Sequence, residues 1–318
     1  MNPTILLTGR NGQVGSALLP LLPRLGKVVA LGRGELDLAD PDAIRRAVRE
    51  LRPQIIVNAA GYTQVDQAET DAAAAYAMNA EAPRLFAEEA KQIGAALVHY
   101  STDYVFDGLK ESPYLETDPP NPVNVYGKSK LAGEQAVQSS GVPHLILRTS
   151  WVYARRGRNF LLTILRLSTQ RVELRIVADQ TGAPTSSDQI AAGTVRILAH
   201  ILDRGVSSAS FARFSGTYHM TAGGETSWYD FAQAILEGSA HIAPDAPWYL
   251  QATGGHPRMA RRVVPITTAD YPTPARRPAY SVLSNARLRS TFGFELPDWR
   301  TQLTELLEGP RREEPVQL

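Results

Sequence analysis

The chain has 318 residues, of which 43% are apolar and 20% are charged, as in a globular protein with one large or two modest domains. Its 33 basic and 32 acidic residues leave a net charge of +1, which gives no reason to expect nucleic acid or a membrane surface as a partner. Cysteine is absent, which excludes disulfides, thiolate catalysis and cysteine-ligated metal sites.

The N-terminal stretch MNPTILLTGRNGQVG lacks a basic segment followed by a long apolar run. No other apolar run reaches the length needed to span a membrane. We therefore expect no signal peptide and a cytoplasmic protein.

Short apolar, β-branched runs alternate with helical patterns through the first half of the chain. The alternation predicts an α/β fold, with a doubly wound, Rossmann-like parallel sheet covered by helices on both faces. The predicted strands are 4–9, 27–31, 55–60, 96–101, 145–150 and 173–177. The predicted helices between them lie near 13–22, 41–51, 72–92, 127–139 and 158–169.

The alternation weakens after about residue 180. Helical patterns near 188–203 and 227–237 are separated there by loops rich in Gly, Pro and Ser. This composition predicts a smaller α+β lobe, packed on the carboxyl ends of the strands. The polar, Pro-containing end of the chain, 309–318, is expected to be a frayed tail.

A glycine-rich loop, TGRNGQVG, follows the first predicted strand and opens the first helix. Gly9, Gly12 and Gly15 are spaced three apart, and such glycines permit a tight turn, close approach to a pyrophosphate and close packing of helix on strand. The free N–H groups of the helix N-terminus then face the anion. A plain glycine-rich turn is the alternative, but the position directly after a first strand favours dinucleotide binding.

The glycine loop suggests how the chain is divided. We expect a dinucleotide-binding domain over 1–150, to which the strand near 173–177 returns. The remainder, 151–308, is expected to be mainly a substrate-binding lobe.

The residues after the second predicted strand bear on the choice between NAD and NADP. The sequence VVALGRGELDLAD places Arg33 first and Glu35 and Asp37 slightly later. Arg33 could bind a 2′-phosphate, so NADPH is the expected cofactor with NADH as the alternative, although an exposed loop arginine would look the same. Asp37 and Leu38 could flank the adenine.

Three side chains suggest proton transfer. Thr102 follows the fourth predicted strand, where ligands bind in a doubly wound sheet, and Tyr126 and Lys130 lie four apart on one face of a helix. An ammonium beside a phenol favours the phenolate and lowers its pKa from roughly 10. Thr102 could polarise a substrate carbonyl, and Lys130 could hold the nicotinamide ribose. Each is unremarkable alone, but beside the glycine loop they are predicted to be catalytic, with Lys128 on the solvated face.

With these motifs the chain resembles the extended short-chain dehydrogenase/reductase family. Within it, five further blocks resemble the dTDP-4-dehydrorhamnose reductases, in order along the chain: STDYVFDG, NVYGKSKLAGE, RTSWVYA, DQTGAPT and RRPAYSVL. The resemblance implies reduction of the 4-keto group of dTDP-6-deoxy-L-lyxo-4-hexulose to dTDP-L-rhamnose. The implied partner is therefore a small-molecule sugar nucleotide.

The resemblance also implies roles for individual residues. Tyr126 would protonate the carbonyl oxygen, Lys130 would hold the ribose and tune Tyr126, and Thr102 would hydrogen-bond the reacting oxygen. Asp103 would contact sugar hydroxyls, and Trp151 would pack against the sugar. The dinucleotide would lie along Gly12, Gln13, Val14, Asp37, Leu38, Ala60, Gly61 and Thr63.

Three weaker candidates for the sugar-nucleotide channel are Asp66, Asn159 and Arg277. Asp66 could instead be a carboxylate at a helix N-terminus, and Asn159 a residue at a helix start. Arg276 or Arg277 would suit a diphosphate because a guanidinium matches phosphate oxygens, but a solvated basic loop is the alternative.

Some members of the family use an acidic residue just after the second glycine for metal-bridged dimerisation. Gln13 occupies that position here, and the six histidines show no metal-ligand spacing. We therefore expect no metal, and a monomer or weak homodimer. His99 is expected to be a core residue.

Two other functions are compatible with these motifs. A sugar-nucleotide epimerase or dehydratase would share the glycine loop and the Tyr/Lys pair, and Asp103 would suit a dehydratase. A non-catalytic, dinucleotide-binding regulatory subunit would share the fold, but Thr102, Tyr126 and Lys130 together argue for an enzyme. The blocks RTSWVY and DQTGAPT favour the reductase.

Overall fold

The computed structural model describes residues 2–205 and 208–309. Its first five strands are β1 (Thr4–Thr8), β2 (Lys27–Leu31), β3 (Ile55–Asn58), β4 (Ala96–Thr102) and β5 (His144–Thr149). The later strands are β6 (Val152–Tyr153), β7 (Glu173–Val177), β8 (Thr181–Gly182), β9 (Thr185–Ser186), β10 (Gly216–His219), β11 (Thr226–Ser227) and β12 (Arg262–Ile266). A six-stranded parallel sheet in the order β10-β5-β4-β3-β1-β2 forms the centre.

Helices cover both faces of this sheet. The helices of the first half are α1 (Gln13–Leu18), α2 (Pro41–Leu51), α3 (Ala72–Tyr76), α4 (Ala82–Ile93) and α5 (Val125–Ser140). A π-helical segment, Ala77–Glu81, joins α3 to α4. The later helices are α6 (Phe160–Ser168), α7 (Ser187–Leu202), α8 (Ser208–Ala212), α9 (Trp228–Gly238), α10 (Pro247–Thr253), α11 (Ala286–Phe292) and α12 (Trp299–Glu308).

Alternate residues of the central strands supply the two halves of the core. Ile5 and Leu7 of β1 pack in the cluster that contains α1 and α7. Leu6 between them packs in the opposite cluster, which contains α2, α4 and α5. Successive side chains of a β-strand point to opposite faces of the sheet. A strand whose side chains are all buried must therefore be covered on both faces. The predicted doubly wound α/β fold is confirmed.

The expectation that the strand at 173–177 returns to the central sheet is wrong. This segment does form β7, but it pairs in parallel with β12 in a separate two-stranded sheet. The sixth central strand is β10 instead. Polar Glu173 and exposed Arg175 alternate with apolar residues in β7, which suits a sheet buried on one face only. The residues of β10 after Gly216 are buried, as a covered sheet requires.

The second half of the chain also builds a separate apolar cluster. Helices α6, α9 and α12 pack around β7, with Phe231, Leu161 and Leu303 among the buried side chains. The predicted tail, 309–318, lies outside the described residues apart from Gly309. None of the described helices is long and apolar enough to cross a bilayer.

The start of α5 is fixed by its cap. The Asn124 side chain accepts a hydrogen bond from Gly127 N at 2.7 Å and donates to the carbonyl oxygen of Arg276 at 2.8 Å. An N-cap of this kind is worth about 1 kcal/mol of helix stability. It also fixes the orientation of the first two turns of α5, which carry Tyr126 and Lys130.

Candidate active site

A cavity of about 480 Å³ opens where the central strands end. It is lined by the glycine loop, by the segments after β2 and β3 and by the first turns of α5. Twelve of the predicted cofactor residues line it: Gly9, Gly12, Gln13, Val14, Arg33, Asp37, Leu38, Ala60, Gly61, Thr63, Tyr126 and Lys130. The structure therefore brings together residues that the sequence spreads over more than a hundred positions.

The glycine loop forms the floor of the cavity. Gly9 has a φ of +71°, and its carbonyl oxygen accepts a hydrogen bond from Gly12 N at 2.8 Å. Gly15 lies behind the loop, where a Cβ would fall 2.1 Å from the carbonyl oxygen of Gly9. The loop thus presents bare backbone to the cavity while α1 packs close behind it, which fits a dinucleotide pyrophosphate.

Replacing Gly15 by Ala is expected to weaken dinucleotide binding at least tenfold and to lower the melting temperature, because the new methyl group must displace the Gly9 carbonyl. Gly34→Ala is the matched control, since a Cβ there would meet no described atom within 4 Å. Cofactor titration by fluorescence and thermal unfolding measure the two effects. Equal behaviour of the two variants would contradict this role for Gly15.

Several lining residues were not predicted from the sequence. Arg158, Gly157 and Val152 reach the cavity from beyond β5, and Met78 from the π-helical segment. These four residues reach the cavity only through tertiary folding, so no local sequence motif predicts that they line it. The others belong to predicted segments and could have been included: Thr8, Asn11, Leu31, Gly32, Leu36, Ala59, Tyr100, Ser101 and Thr149.

The charged residues of the loop after β2 have different surroundings. Glu35 accepts a hydrogen bond from Gly32 N at 2.7 Å and pairs with Arg10 at 2.5 Å, so its carboxylate is already engaged. Arg33 lines the cavity and is exposed. Glu35 is already paired with Arg10, and Arg33 adds a second positive charge. This loop therefore suits an anionic 2′-phosphate better than a neutral 2′-hydroxyl.

Thr102, Tyr126 and Lys130 meet at the end of β4. Thr102 is 6% exposed, and its hydroxyl donates to Asp103 Oδ1 at 3.0 Å and accepts from Tyr104 N at 3.2 Å. Lys130 is equally buried, and its Nζ donates to the carbonyl oxygen of Tyr100 at 2.6 Å. The predicted catalytic set is therefore assembled in one place, although Thr102 itself lies behind the lining of the described cavity.

Burial decides the proton affinities in this set. Burial raises the pKa of Tyr126 to about 12, although a hydrogen bond with Thr102 opposes the change. Burial also lowers the pKa of Lys130 to about 8, against the opposing charge of Glu134. Burial thus leaves the net pKa of Tyr126 above its ordinary value, and the expected tuning of this pKa by Lys130 stays a prediction. Tyr126 keeps its proton through neutral pH, which is the state that a proton donor requires.

Asp103 is a buried carboxyl group beside the same hydroxyls. It is 1% exposed, and its Oδ2 has no hydrogen-bond partner among the described residues. Burial raises its pKa to about 6, and hydrogen bonds with Ser281 and Thr102 limit the rise. An acceptor without a partner at this position fits the predicted contact with a substrate hydroxyl.

Asp103→Asn is expected to become progressively more stable than the wild type as pH rises from about 4 through about 6. The folded pKa exceeds the usual 3.8, so the folded chain binds the proton more tightly and loses stability when the group ionises. The difference should reach at most about 3 kcal/mol above pH 7. Urea unfolding at several pH values measures it.

Asp107→Asn provides a control of opposite sign. Burial raises the pKa of Asp107, but hydrogen bonds with Tyr114, Leu109 and Asn121 together lower it below its usual value. Its charge therefore stabilises the fold above the usual pKa, and that stability is lost as pH falls. A difference between Asp103→Asn and wild type that stays constant with pH would contradict the assignment to Asp103.

Asp66 and Arg277 bind each other. The guanidinium contacts the carboxylate through two bonds of 3.1 and 2.8 Å, and Ala275 N also donates to Asp66. Arg277 is the inward-facing arginine of the pair, since Arg276 is exposed. This ion pair joins the segment after β3 to the loop that precedes α11.

Asn159 and Trp151 also make contacts within the protein. The Asn159 side chain caps α6 by accepting from Leu162 N at 3.1 Å, and it donates to Gln13 Oε1 at 2.8 Å. Trp151 has a φ of +45°, and its ring stacks on Trp228 with centroids 3.4 Å apart. The predicted roles of these residues toward a sugar nucleotide stay predictions.

No group of three or more His, Asp or Glu side chains in residues 2–205 and 208–309 is arranged to hold a metal ion. Gln13 uses its amide oxygen to accept a hydrogen bond from the Asn159 side chain at 2.8 Å.

Comparison with known proteins identifies the family. A family model described as the RmlD substrate binding domain matches residues 2–311. The dTDP-4-dehydrorhamnose reductase of Burkholderia thailandensis is 52% identical over 296 residues, which cover 93% of this chain and 95% of that protein. The chain belongs to the dTDP-4-dehydrorhamnose reductase family. The Escherichia coli K12 protein of the same name is 40% identical over 307 residues, with 95% and 96% covered.

Solved structures support the assignment of the chain to this family. The crystal structure of the Bacillus anthracis dTDP-4-dehydrorhamnose reductase in complex with NADP has a TM-score of 0.84 and 34% identity, covering 96% of this chain and 99% of that one. The Thermus thermophilus UDP-glucose 4-epimerase, in complex with NAD, has a TM-score of 0.73 at 20% identity and shares the fold. The predictions of this family, of a reductase and of NADPH as the family's cofactor are confirmed.

Proposed function

We propose that the protein uses NADPH to reduce the 4-keto group of dTDP-6-deoxy-L-lyxo-4-hexulose, giving dTDP-L-rhamnose. The assembly of Thr102, Tyr126 and buried Lys130 beside a glycine-floored cavity carries this proposal. Membership of the dTDP-4-dehydrorhamnose reductase family supports the choice of substrate.

The cavity residues would hold the cofactor in a fixed order. Gly12, Gln13 and Val14 present backbone to the pyrophosphate, and Gly9 and Gly15 give that loop its shape. Arg33 would bind the 2′-phosphate, and Asp37 and Leu38 would flank the adenine. The remaining contacts would come from Ala60, Gly61 and Thr63.

NADPH, when bound, supplies the hydride that adds to C4 of the sugar. The Tyr126 hydroxyl donates its proton to the carbonyl oxygen, so that an alcohol rather than an alkoxide forms. Thr102 would turn its hydroxyl proton from Asp103 Oδ1 to the same oxygen and so stabilise the negative charge that develops on it. Lys130 binds the ribose and, as an ammonium, favours loss of the proton from Tyr126.

The proposed substrate contacts lie around this centre. Asp103 Oδ2 would accept a hydrogen bond from a sugar hydroxyl, which would supply the partner it lacks. Trp151 would pack against the sugar, and Asp66, Asn159 and Arg277 would line the channel. Because Asp66 already holds Arg277, a diphosphate would have to share that guanidinium or displace the carboxylate.

The test is an assay of the purified protein with the keto-sugar nucleotide, followed by the loss of reduced nicotinamide. We expect one NADPH consumed for each sugar reduced, whereas an epimerase or dehydratase consumes none. Arg33→Ala should raise the KM for NADPH while leaving that for NADH nearly unchanged. An active cofactor-binding protein that consumes no NADPH with this substrate would contradict the proposal.

We further propose a cytoplasmic monomer or weak homodimer without nucleic-acid or membrane partners. The net charge of +1, the absence of cysteine and the neutral Gln13 support this. We also retain the division into a dinucleotide-binding part, 1–150, and a mainly substrate-binding part, 151–308. Light scattering over a range of protein concentrations, with and without Mg²⁺, tests the oligomeric state.

A further inference from the structure

A row of buried polar side chains runs beneath Lys130. It consists of Thr8 on β1, Asn58 on β3 and His99 on β4, at neighbouring positions of three adjacent strands. Asn58 and His99 are each 1% exposed. The proposed reaction uses neither Asn58 nor His99, and His99 was expected from the sequence to be a core residue only.

Asn58 has a defined orientation. Its Oδ1 accepts from the Thr8 hydroxyl at 2.7 Å and from Ala60 N at 3.3 Å. A backbone N–H can only donate, so the amide oxygen must face Ala60. The amide nitrogen then faces His99 Nδ1, 3.2 Å away, and donates to it.

This contact fixes the tautomer of His99. Because Nδ1 accepts, the proton of the neutral imidazole is on Nε2. Burial and the charge of Lys130 lower the pKa of His99 well below its usual value, which keeps the ring neutral. His99 Nε2 lies 3.5 Å from Lys130 Nζ, so its N–H interacts favourably with an amine lone pair and unfavourably with an ammonium.

The other groups around Lys130 do not replace this contact. On β4, the Tyr100 carbonyl oxygen accepts from Nζ and serves amine and ammonium alike. On α5, Glu134 lies one turn further along, but both of its oxygens bind Arg148. Tyr126, one turn earlier, is neutral through the physiological range because burial raises its pKa.

We propose that His99, oriented by Asn58, is a positioning residue for Lys130: its Nε2–H sets where Nζ lies and how readily Nζ takes up a proton. The row also links Lys130 to Thr8 and Ala60, which both line the cofactor cavity. The expected effect on the KM for NADPH rests on the proposed function, whereas the tautomer of His99 and the titration of Lys130 do not.

The inference can be tested without turnover, by NMR. The chain has five lysines and six histidines, so selective labelling gives few signals, and Lys130→Met and His99→Gln assign the two of interest. Nitrogen shifts should show His99 protonated at Nε2 from pH 6 to pH 9. The Lys130 titration should lie near pH 8. A proton found on Nδ1 of His99 would overturn the inference.

Asn58→Asp is the decisive variant. One carboxylate oxygen would still accept from Ala60, but the other would accept from His99, which moves the imidazole proton to Nδ1 and leaves Nε2 to accept from the ammonium. We expect the nitrogen shifts to show the His99 proton on Nδ1, and the Lys130 titration to rise by about one pH unit, a tenfold change in proton affinity. Gln92→Glu, on the exposed side of α4, adds the same charge as a control and should leave the Lys130 titration unchanged. An unchanged Lys130 titration in Asn58→Asp would overturn the inference.

Two substitutions of His99 separate positioning from mere packing. Gln can place an N–H where Nε2 lies, whereas Leu of similar size cannot. We expect His99→Leu to raise the KM for NADPH about tenfold and His99→Gln to stay within about threefold of wild type. Equal losses in both variants, with the Lys130 titration unmoved, would leave only a structural role and overturn the proposal. Failure of the reductase assay in the wild type would instead count against the proposed function.

Discussion

Replacing Tyr126 by Phe is expected to lower kcat by about 10²–10⁴-fold, which is the usual contribution of a positioned general acid. The substitution removes the hydroxyl that would protonate the C4 oxygen. It keeps the ring, which packs edge-on against Tyr104 with centroids 5.7 Å apart. The melting temperature should therefore stay close to that of the wild type. The NADPH-oxidation assay and thermal unfolding measure the two quantities.

Tyr218→Phe is a suitable control for Tyr126→Phe. It also removes a phenolic hydroxyl, one that donates to the carbonyl oxygen of Phe214 at 2.8 Å and lies on β10, outside the proposed site. It should cost about 1 kcal/mol of stability and leave kcat unchanged. Near-normal turnover in Tyr126→Phe would refute the assignment of Tyr126 as the acid.

Replacing Arg148 by Met is expected to destabilise the fold by about 3–5 kcal/mol, because it leaves a buried carboxylate without its cation. Arg148 and Glu134 are 4% and 1% exposed and share two bonds of 2.9 and 2.6 Å. Arg148 also lies over the Phe106 ring, 5.1 Å from its centroid. Urea unfolding gives the free-energy change.

Two further variants test whether the loss of stability comes from the unpaired buried carboxylate of Glu134. The double variant Glu134→Leu with Arg148→Met removes both charges and should recover much of the loss, since no unpaired ion remains. Arg84→Met breaks an exposed contact with Glu81 and should cost no more than about 1 kcal/mol. If Arg148→Met were as mild as Arg84→Met, the buried pair would not have the stabilising role assigned here.

Local features of the sequence predicted the parts of the site that depend on short spacing. The glycine loop and the Tyr126–Lys130 pair each lie within one loop or one helix, so their geometry follows from the element that carries them. The two-sided burial of β1, β3 and β4 was equally readable from uninterrupted apolar runs. These features sufficed for the fold class and for most of the cofactor cavity.

Long-range pairings were not readable in the same way. Asp66 and Arg277 are 211 positions apart, and nothing local shows that each satisfies the other. The short segment Gly216–His219 was missed as a strand because it begins with glycine and has little apolar pattern. The rise in the pKa of Tyr126 was also not readable from the sequence, because it comes from burial, which depends on the whole fold.

The position of β10 has a consequence for how the chain can be divided. This strand forms one edge of the central sheet beside β5, and α7 covers the face on which Ile5 and Leu7 lie. Both elements come from the second half of the sequence. A fragment ending near residue 150 would therefore expose an unpaired strand edge and an uncovered apolar face. We therefore expect residues 1–150 to aggregate rather than fold as an independent domain.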